Sequence, residues 1–292
     1  MVKISDELRE FDERFGTQLF GTSANLLDYL STCVSIGLML IIWTGLVIVE
    51  VQSENGVIYL IDCGLSAVFV SWSLVHCSVI IDAIRFRFQR LNNTLIATAT
   101  YRIFSKDGSL IRASALNDRR VVTNLLMIKR ARNQIYKVFL DVSGLFSSPV
   151  FVLILYCSSC CIIDIYFFIM SLVEPMGDDA CHIFFDSFFW ILVSLYPIIV
   201  LSASVNRFQT EANRTVDVVY DIMEAYAANR EIGLELNNFA VELLHRKIDF
   251  SACGLFSLDC SLLRSLLGTI VTYLLILVQF KAPESSPKAW SN

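Results

Sequence analysis

Polar residues at a helical spacing are the most informative chemical feature of the sequence, and they lie in its last apolar segment, 255–280. They recur three, four or seven residues apart and therefore share one face of a helix: Ser261, Ser265, Gly268, Thr269, Thr272 and Gln279. A polar stripe on a helix that crosses a membrane turns away from lipid, toward another helix or toward water. Two interpretations stay open here: close helix packing through small residues, and a water-filled pore, in which the Gln279 amide would have a role.

Patterns for catalysis or metal binding are weak in the same sequence. Cys157, Cys160 and Cys161 approach a metal-ligand spacing, but no histidine lies near them and their segment is apolar, so we expect packed thiols. An intramembrane enzyme needs paired acids or a Ser/His pair at one depth. Asp62 and Asp164 come nearest, yet both lie near the outer ends of their segments without a histidine partner. We therefore expect no catalytic residue, no bound metal and no cofactor.

Five segments without Asp, Glu, Lys or Arg would position these residues: 29–49, 63–81, 142–163, 187–206 and 265–280. Each holds 16 to 22 residues, and a helix needs about 20 to cross about 30 Å of hydrocarbon. Of the 292 residues, 55% are apolar and 17% are charged, against roughly 25% charged in soluble domains. The predicted fold class is all-α, a polytopic helical membrane protein with five transmembrane helices. This excludes a soluble enzyme, a secreted disulfide scaffold and a nucleic-acid-binding domain.

The predicted organisation follows these segments. Residues 1–27 precede the first transmembrane helix, and the five helices span 28–50, 57–81, 142–172, 183–205 and 255–280. Two polar regions of helical composition lie between them, 82–141 and 206–254, and a tail follows at 281–292. A secondary transporter favours two repeated halves, and the absence of an internal repeat from the sequence argues against that class.

Basic residues are distributed very unevenly among these regions. Of 23 Lys and Arg, twelve lie in 82–141, six between Arg207 and Arg264 and three before the first helix, whereas 50–57 and 174–182 contain none. Basic loops stay on the cytoplasmic side of a membrane. The pattern predicts a cytoplasmic segment 1–27, cytoplasmic regions 82–141 and 206–254, and, after five crossings, an extracellular tail.

Residues Thr272–Phe280 carry a specific motif. They read Thr272-Tyr273, five hydrophobic residues, then Gln279-Phe280, and this stretch resembles the TYhhhhhQF signature (h, hydrophobic) of the insect gustatory receptor family, which is related to insect odorant receptors. The residues before it also look like that family's run into its last helix: Leu243–Arg246, Ala252–Phe256 and Leu258–Asp259. The agreement is closest over 240–280.

The resemblance implies a ligand-gated, non-selective cation channel, assembled as a homo- or hetero-tetramer with related subunits. It also implies a cytoplasmic anchor within 206–254, with a helix near 231–248, and a pore-lining helix at 255–280. Related channels are constricted at the Gln of the motif and at the hydrophobic residue three before it, here Gln279 and Ile276, and Thr272 lies on the same face. A ring of Ile side chains closes a pore by dewetting, and a ring of amides partly replaces the hydration of an ion.

Members of that family have seven spans, and the five predicted here correspond to spans three to seven. Residues 1–27 then look like the connection after a second span, and part of the ligand-binding wall would be missing. The resemblance thus leaves an alternative to a complete receptor subunit, namely a truncated, non-conducting or regulatory subunit or isoform of the same family.

Ligand-binding residues are expected in the outer halves of the spans, where the family has its pocket. Five aromatic or acidic residues are candidates: Tyr59, Asp62, Tyr166, Asp186 and Trp190. Each is equally suited to anchoring a helix at the membrane interface or to packing in the interior. Leu274 stands where the sugar-receptor branch tends to carry Glu, which favours a small-molecule tastant other than a sugar. The expected partners are this tastant, membrane lipid and related subunits, without nucleic acid, at the plasma membrane of a sensory neuron.

Overall fold

The computed structural model describes residues 2–19, 26–53, 56–104, 111–173, 180–226, 229–246 and 248–281. The elements follow in the order α1 (Val2–Leu19), α2 (Leu26–Val51), α3 (Gly56–Tyr59), a π-helical turn (Leu60–Gly64), α4 (Leu65–Phe104), α5 (Ile111–Val173), α6 (Ala180–Ala225), α7 (Arg230–His245), β1 (Ser251–Ala252), β2 (Phe256–Ser257) and α8 (Cys260–Lys281). The two short strands pair with each other, and apart from short turns and connections the other described residues are helical.

Five described stretches are long and apolar enough to cross a membrane: Leu30–Val51, Gly56–Ala97, Val121–Leu172, His182–Glu224 and Cys260–Leu277. The predicted all-α fold with five transmembrane helices is therefore confirmed. The helices extend further than their apolar segments, since α4, α5 and α6 contain 40, 63 and 46 residues and continue into the polar regions. The change in composition near residues 81, 142 and 205 does not end a helix, because charged residues such as Arg and Lys sustain helical structure well.

One compact unit, here called the first unit, comprises described residues within 1–30, 79–147 and 204–251. Its core contains a cluster of aromatic rings. Phe88, Phe139, Phe208 and Phe250 are almost fully buried, and the centroids of neighbouring rings lie 5.0 to 6.1 Å apart, distances typical of tilted and edge-to-face ring pairs. Phe11 adds a fully buried ring from the apolar face of α1.

Polar contacts in the first unit hold α7 against α5. The Glu242 carboxylate on α7 accepts a hydrogen bond from Asn133 at 2.8 Å and pairs with Lys129 at 3.2 Å and Arg246 at 3.1 Å. Desolvation raises the pKa of Glu242, but the hydrogen bonds from Lys129 and Asn133 and the charge of Arg246 outweigh it, so the pKa lies below its ordinary value. The helix expected near 231–248 is α7 in the structure.

A buried amide joins α4 to α6 in the same unit. Asn92 is 0% exposed. Its Nδ2 donates to the backbone carbonyl and to the carboxylate of Glu211, both at 2.9 Å, and its Oδ1 accepts from the Thr215 hydroxyl at 2.8 Å. Both ends of the amide therefore have partners, which makes its complete burial tolerable.

The second unit comprises described residues within 31–78, 148–203 and 252–292. Leu46, Ala67, Trp190 and Val193 form a buried cluster from α2, α4 and α6. Helix α2 approaches α6 closely at Gly45, where an added Cβ would lie 2.3 Å from Cε1 of Phe189. The missing side chain of this glycine therefore sets how closely the two helices pack.

A hairpin turn precedes α8 and determines where that helix begins. Cys253 and Gly254 have φ angles of 52° and 70°, and positive φ at two central residues is typical of the tight turns that join hairpin strands. Asp259 then caps α8, since its Oδ1 accepts from the backbone N–H of Ser261 at 2.8 Å. The helix begins at Cys260 rather than at the expected residue 255, because the turn depends on φ angles that an apolar pattern does not reveal.

Candidate ligand cavity and pore-lining helix

A cavity of about 130 Å³ lies within the second unit. It is lined by Tyr59, Cys63, Ala67, Val70 and Ser71 from the stretch α3 to α4, by Tyr156, Cys157, Cys160, Ile163 and Asp164 from α5, and by Trp190, Val193 and Ser194 from α6. A mostly apolar wall with a few convergent polar groups is typical of small-molecule sites.

Aromatic side chains form one part of this wall and are fixed by contacts of their own. The rings of Tyr59 and Trp190 meet edge to face, with centroids 5.5 Å apart. The indole Nε1 of Trp190 donates to Oε1 of Glu50 at 2.8 Å, and the Glu50 side chain is itself buried. Across the cavity, the hydroxyl groups of Tyr156 and Ser66 lie 3.3 Å apart. The rings are therefore preorganised before any ligand arrives.

A carboxyl group is the most polar part of the wall. The Ser194 hydroxyl lies beside the Asp164 carboxyl, yet Asp164 Oδ2 is buried and meets no donor among the residues that the structure describes. Two other carboxyl groups of the same unit, Asp186 and Glu50, contact each other outside the described lining. Of their neighbours, Trp190, which donates to Glu50, lines the cavity. Asp164 is thus the acidic group that a ligand in the cavity would meet.

The structure brings two of the five candidate ligand residues into the wall. Tyr59 and Trp190 line the cavity. Asp62 is exposed on the π-helical turn, and Tyr166 and Asp186 are half-buried elsewhere, outside the described lining. The candidates therefore do not form a single cluster.

Helical phase explains which of these residues reach the cavity wall. Residue type and depth alone do not single out Asp164 and Tyr156 as ligand residues, although these two recur with Cys160 at four-residue steps and so share one face of α5. That spacing was the available signal. Asp62 points elsewhere because it lies in the π-helical turn, whose wider spiral shifts it from the face that carries Tyr59.

Helix α8 packs against its own chain along one side. Leu262 and Ile270 are buried, whereas Thr272, Ile276 and Gln279 are exposed, Ile276 by 40%. The Thr272 hydroxyl donates to a backbone carbonyl one turn earlier, at 2.8 Å. The polar stripe therefore lies on a surface of the chain that is open to a partner or to water.

Of the two remaining motif residues, Tyr273 and Phe280, the structure describes only the side chain of Tyr273. Tyr273 is 53% exposed, and the Phe280 side chain lies outside the described part of the chain. The extracellular tail expected at 281–292 falls beyond the described residues after Lys281.

The cysteine cluster on α5 contains free thiols at Cys157, Cys160 and Cys161, two of which line the cavity. Within the residues that the structure describes, no group of three or more His, Cys, Asp or Glu side chains is placed to hold a metal ion. The thiols contribute wall surface.

The chain is similar in sequence to known chemosensory receptors. The family described as 7tm Chemosensory receptor matches residues 1–282. In Drosophila melanogaster, putative gustatory receptor 2a is 43% identical over 61 residues, and gustatory and pheromone receptor 32a is 31% identical over 99 residues. These alignments cover 21% and 34% of this chain but 14% and 21% of the two relatives, so the matched part is less than a quarter of either relative.

The fold is similar to that of a solved receptor. The insect olfactory receptor OR5 from Machilis hrabei superimposes with a TM-score of 0.58 over 94% of this chain and 75% of that one, at 12% identity. A structure of the same receptor in complex with eugenol matches with the same TM-score, 0.58. At this identity the likeness shows a shared fold.

Proposed function

Since the chain belongs to the 7tm chemosensory receptor family, we propose that it is a gustatory receptor subunit that acts as a ligand-gated cation channel for a small-molecule tastant. Family membership, with gustatory receptors as relatives, gives the chemosensory role. The cavity and the exposed side of α8 support the two halves of the channel proposal, ligand binding and ion conduction.

The exposed polar stripe of α8 is the observation that carries the proposal. Polar side chains that face hydrocarbon without a partner are costly. The Gln279 amide is exposed on the single chain, as is Thr272, whose hydroxyl already donates to its own helix. Four copies of α8 around a common axis would remove the stripe from lipid and surround a water-filled path. Leu262 and Ile270 would keep each helix attached to its own subunit.

Ile276 and Gln279 have the chemistry of a gate in such an assembly. Their side chains lie three residues apart and share one face of α8. A ring of four Ile276 side chains excludes water from a narrow path, and a ring of four Gln279 amides offers oxygen atoms to a passing cation. The gate opens when ligand binding separates these rings.

The proposed orientation has the N-terminus in the cytoplasm and the C-terminus outside the cell. It rests on the basic residues, which are concentrated in regions 82–141 and 206–254 and absent from 50–57 and 174–182. In this orientation Tyr59, Asp164 and Trp190 lie in the outer halves of their helices. The cavity is then reached from the side on which a tastant arrives.

The test replaces Ile276 with Ser in the full chain and records cation current in a heterologous cell, with surface biotinylation to measure expression. A wetted constriction should raise ligand-independent current severalfold. Leu267→Ser is the matched control, because Leu267 lies nine residues earlier and therefore on the opposite side of the helix, 59% exposed. Equal currents from the two variants at equal surface expression would contradict the proposed gate.

A further inference from the structure

Asp164, one of the residues that line the cavity, has a buried carboxyl oxygen that lacks a donor. Asp164 Oδ2 is buried and unpartnered among the described residues, and the described lining holds no Lys, Arg or His. A carboxylate removed from water is costly unless a counter-charge or hydrogen bonds replace the water. A ligand that brings both a positive charge and N–H donors would meet this need, and a neutral ligand would meet it only in part.

Aromatic rings surround the same space. Tyr59, Tyr156 and Trp190 line the cavity, and the Trp190 N–H is already occupied by Glu50. Aromatic rings attract cations through the negative potential of their faces. The indole therefore contributes its ring, rather than a hydrogen bond, to whatever the cavity binds.

The cavity has room for about one ring. Its volume is about 130 Å³, and an apolar protein cavity of about 150 Å³ holds one benzene molecule. Ala67, Val70, Cys157 and Val193 provide apolar wall for the ring. A disaccharide or a long alkyl chain would exceed this space.

We propose that the cavity binds a small protonated amine attached to a single apolar ring, with the ammonium group against Asp164 and the ring among Tyr59, Trp190 and the apolar wall. This inference rests on the proposed function, because it assigns a ligand class to the receptor's binding cavity. The ammonium donates to the Asp164 carboxylate and neutralises its charge. The Ser194 hydroxyl, which also lines the cavity, lies beside the same carboxyl.

The test compares benzylamine with benzyl alcohol, which has the same ring and nearly the same size but carries no charge. Binding is measured as thermal stabilisation of the purified full chain in lipid nanodiscs, titrated to an apparent Kd at neutral pH. We expect benzylamine to bind at least tenfold more tightly than benzyl alcohol. Equal affinity of the two probes, or no binding of either at millimolar concentration, would overturn the inference.

Substitutions locate the site. Asp164→Asn keeps the shape of the side chain and should reduce the affinity for benzylamine at least tenfold, to that of benzyl alcohol. Asp62→Asn is the matched control, since Asp62 is exposed outside the described lining, and it should keep the preference for the amine. If Asp164→Asn retains that preference, the amine does not bind there.

A cavity-filling variant and the separation of binding from current allow the proposal to be tested even if Asp164→Asn does not fold. Should Asp164→Asn fail to fold, Ala67→Leu fills the cavity from α4 and should abolish binding of both probes; unchanged binding would overturn the location. The binding assay involves no current. A chain that prefers the amine but does not conduct contradicts only the proposed channel, and a conducting chain without the preference contradicts only this inference.

Discussion

At the scale of single residues, the buried polar groups of the first unit depend on specific partners. We predict that Asn92→Ala destabilises the protein by about 1–3 kcal/mol, because it leaves the buried Thr215 hydroxyl without its acceptor and the Glu211 carboxylate without one of its donors. The loss should lower the apparent melting temperature in detergent. Asn93→Ala, at the exposed neighbouring position, should change it little, and equal losses from both would contradict the role of the buried amide.

The candidate ligand residues were only partly predictable at this scale. Residue type and depth in the membrane select Tyr59 and Trp190, since aromatic residues near the outer end of a span commonly line ligand cavities. They do not reveal Asp164 as a wall residue, because its role depends on which face of α5 meets α6. Nor do they exclude Asp62, because the π-helical turn that turns it outward leaves no signal in the composition.

At the scale of elements, the packing of α2 against α6 depends on one glycine. We predict that Gly45→Ala costs about 1–3 kcal/mol, because its Cβ would lie 2.3 Å from the Phe189 ring. Gly37→Ala on the same helix is the control, since an added Cβ there meets nothing within 4 Å. Thermal unfolding should show a loss for the first variant only; a tolerated Gly45→Ala would mean that the two helices do not pack closely in the membrane.

The ion pairs between α5 and α7 predict an acid-dependent stability. The pKa of Glu242 is lowered in the folded protein, so its contribution is present above its ordinary pKa of about 4.3 and is lost as the pH falls through the lower folded value. Glu242→Gln should therefore melt at a lower temperature than the unchanged protein at pH 7, and the difference should shrink at pH 4 and below. Glu235→Gln, on the same helix, serves as the control. A difference that stays constant with pH would contradict this account.

Element boundaries were less predictable than the elements themselves. The apolar segments mark where α4, α5 and α6 cross the membrane, but the same helices continue through polar sequence because nothing there breaks them. The start of α8 differs from the predicted one because an apolar pattern continues through residues that are not helical. Leu255 and Phe256 fit an apolar pattern, yet the positive φ angles of Cys253 and Gly254 place them in a hairpin.

At the scale of the whole molecule, the sequence predicts the number of candidate membrane spans among the described residues, but not which side of each helix is left uncovered. The cost of placing charges in hydrocarbon is local to each segment, so the five charge-free runs predict the five spans that the structure contains. Assembly depends instead on which side of each helix is left uncovered. Only the structure shows that α8 buries Leu262 and Ile270 and exposes the polar stripe.

Cysteine accessibility along α8 tests the proposed pore most directly. Thr272, Ile276, Gln279 and Leu267 are replaced by Cys one at a time in the full chain, and a charged methanethiosulfonate reagent is applied from outside during current recording, with the unchanged protein as the control for native cysteines. A pore lined by the polar stripe predicts that the reagent alters the current at 272, 276 and 279 and leaves it unchanged at 267. Modification without any effect at the three stripe positions, or an equal effect at 267, would contradict a pore formed by this face of α8.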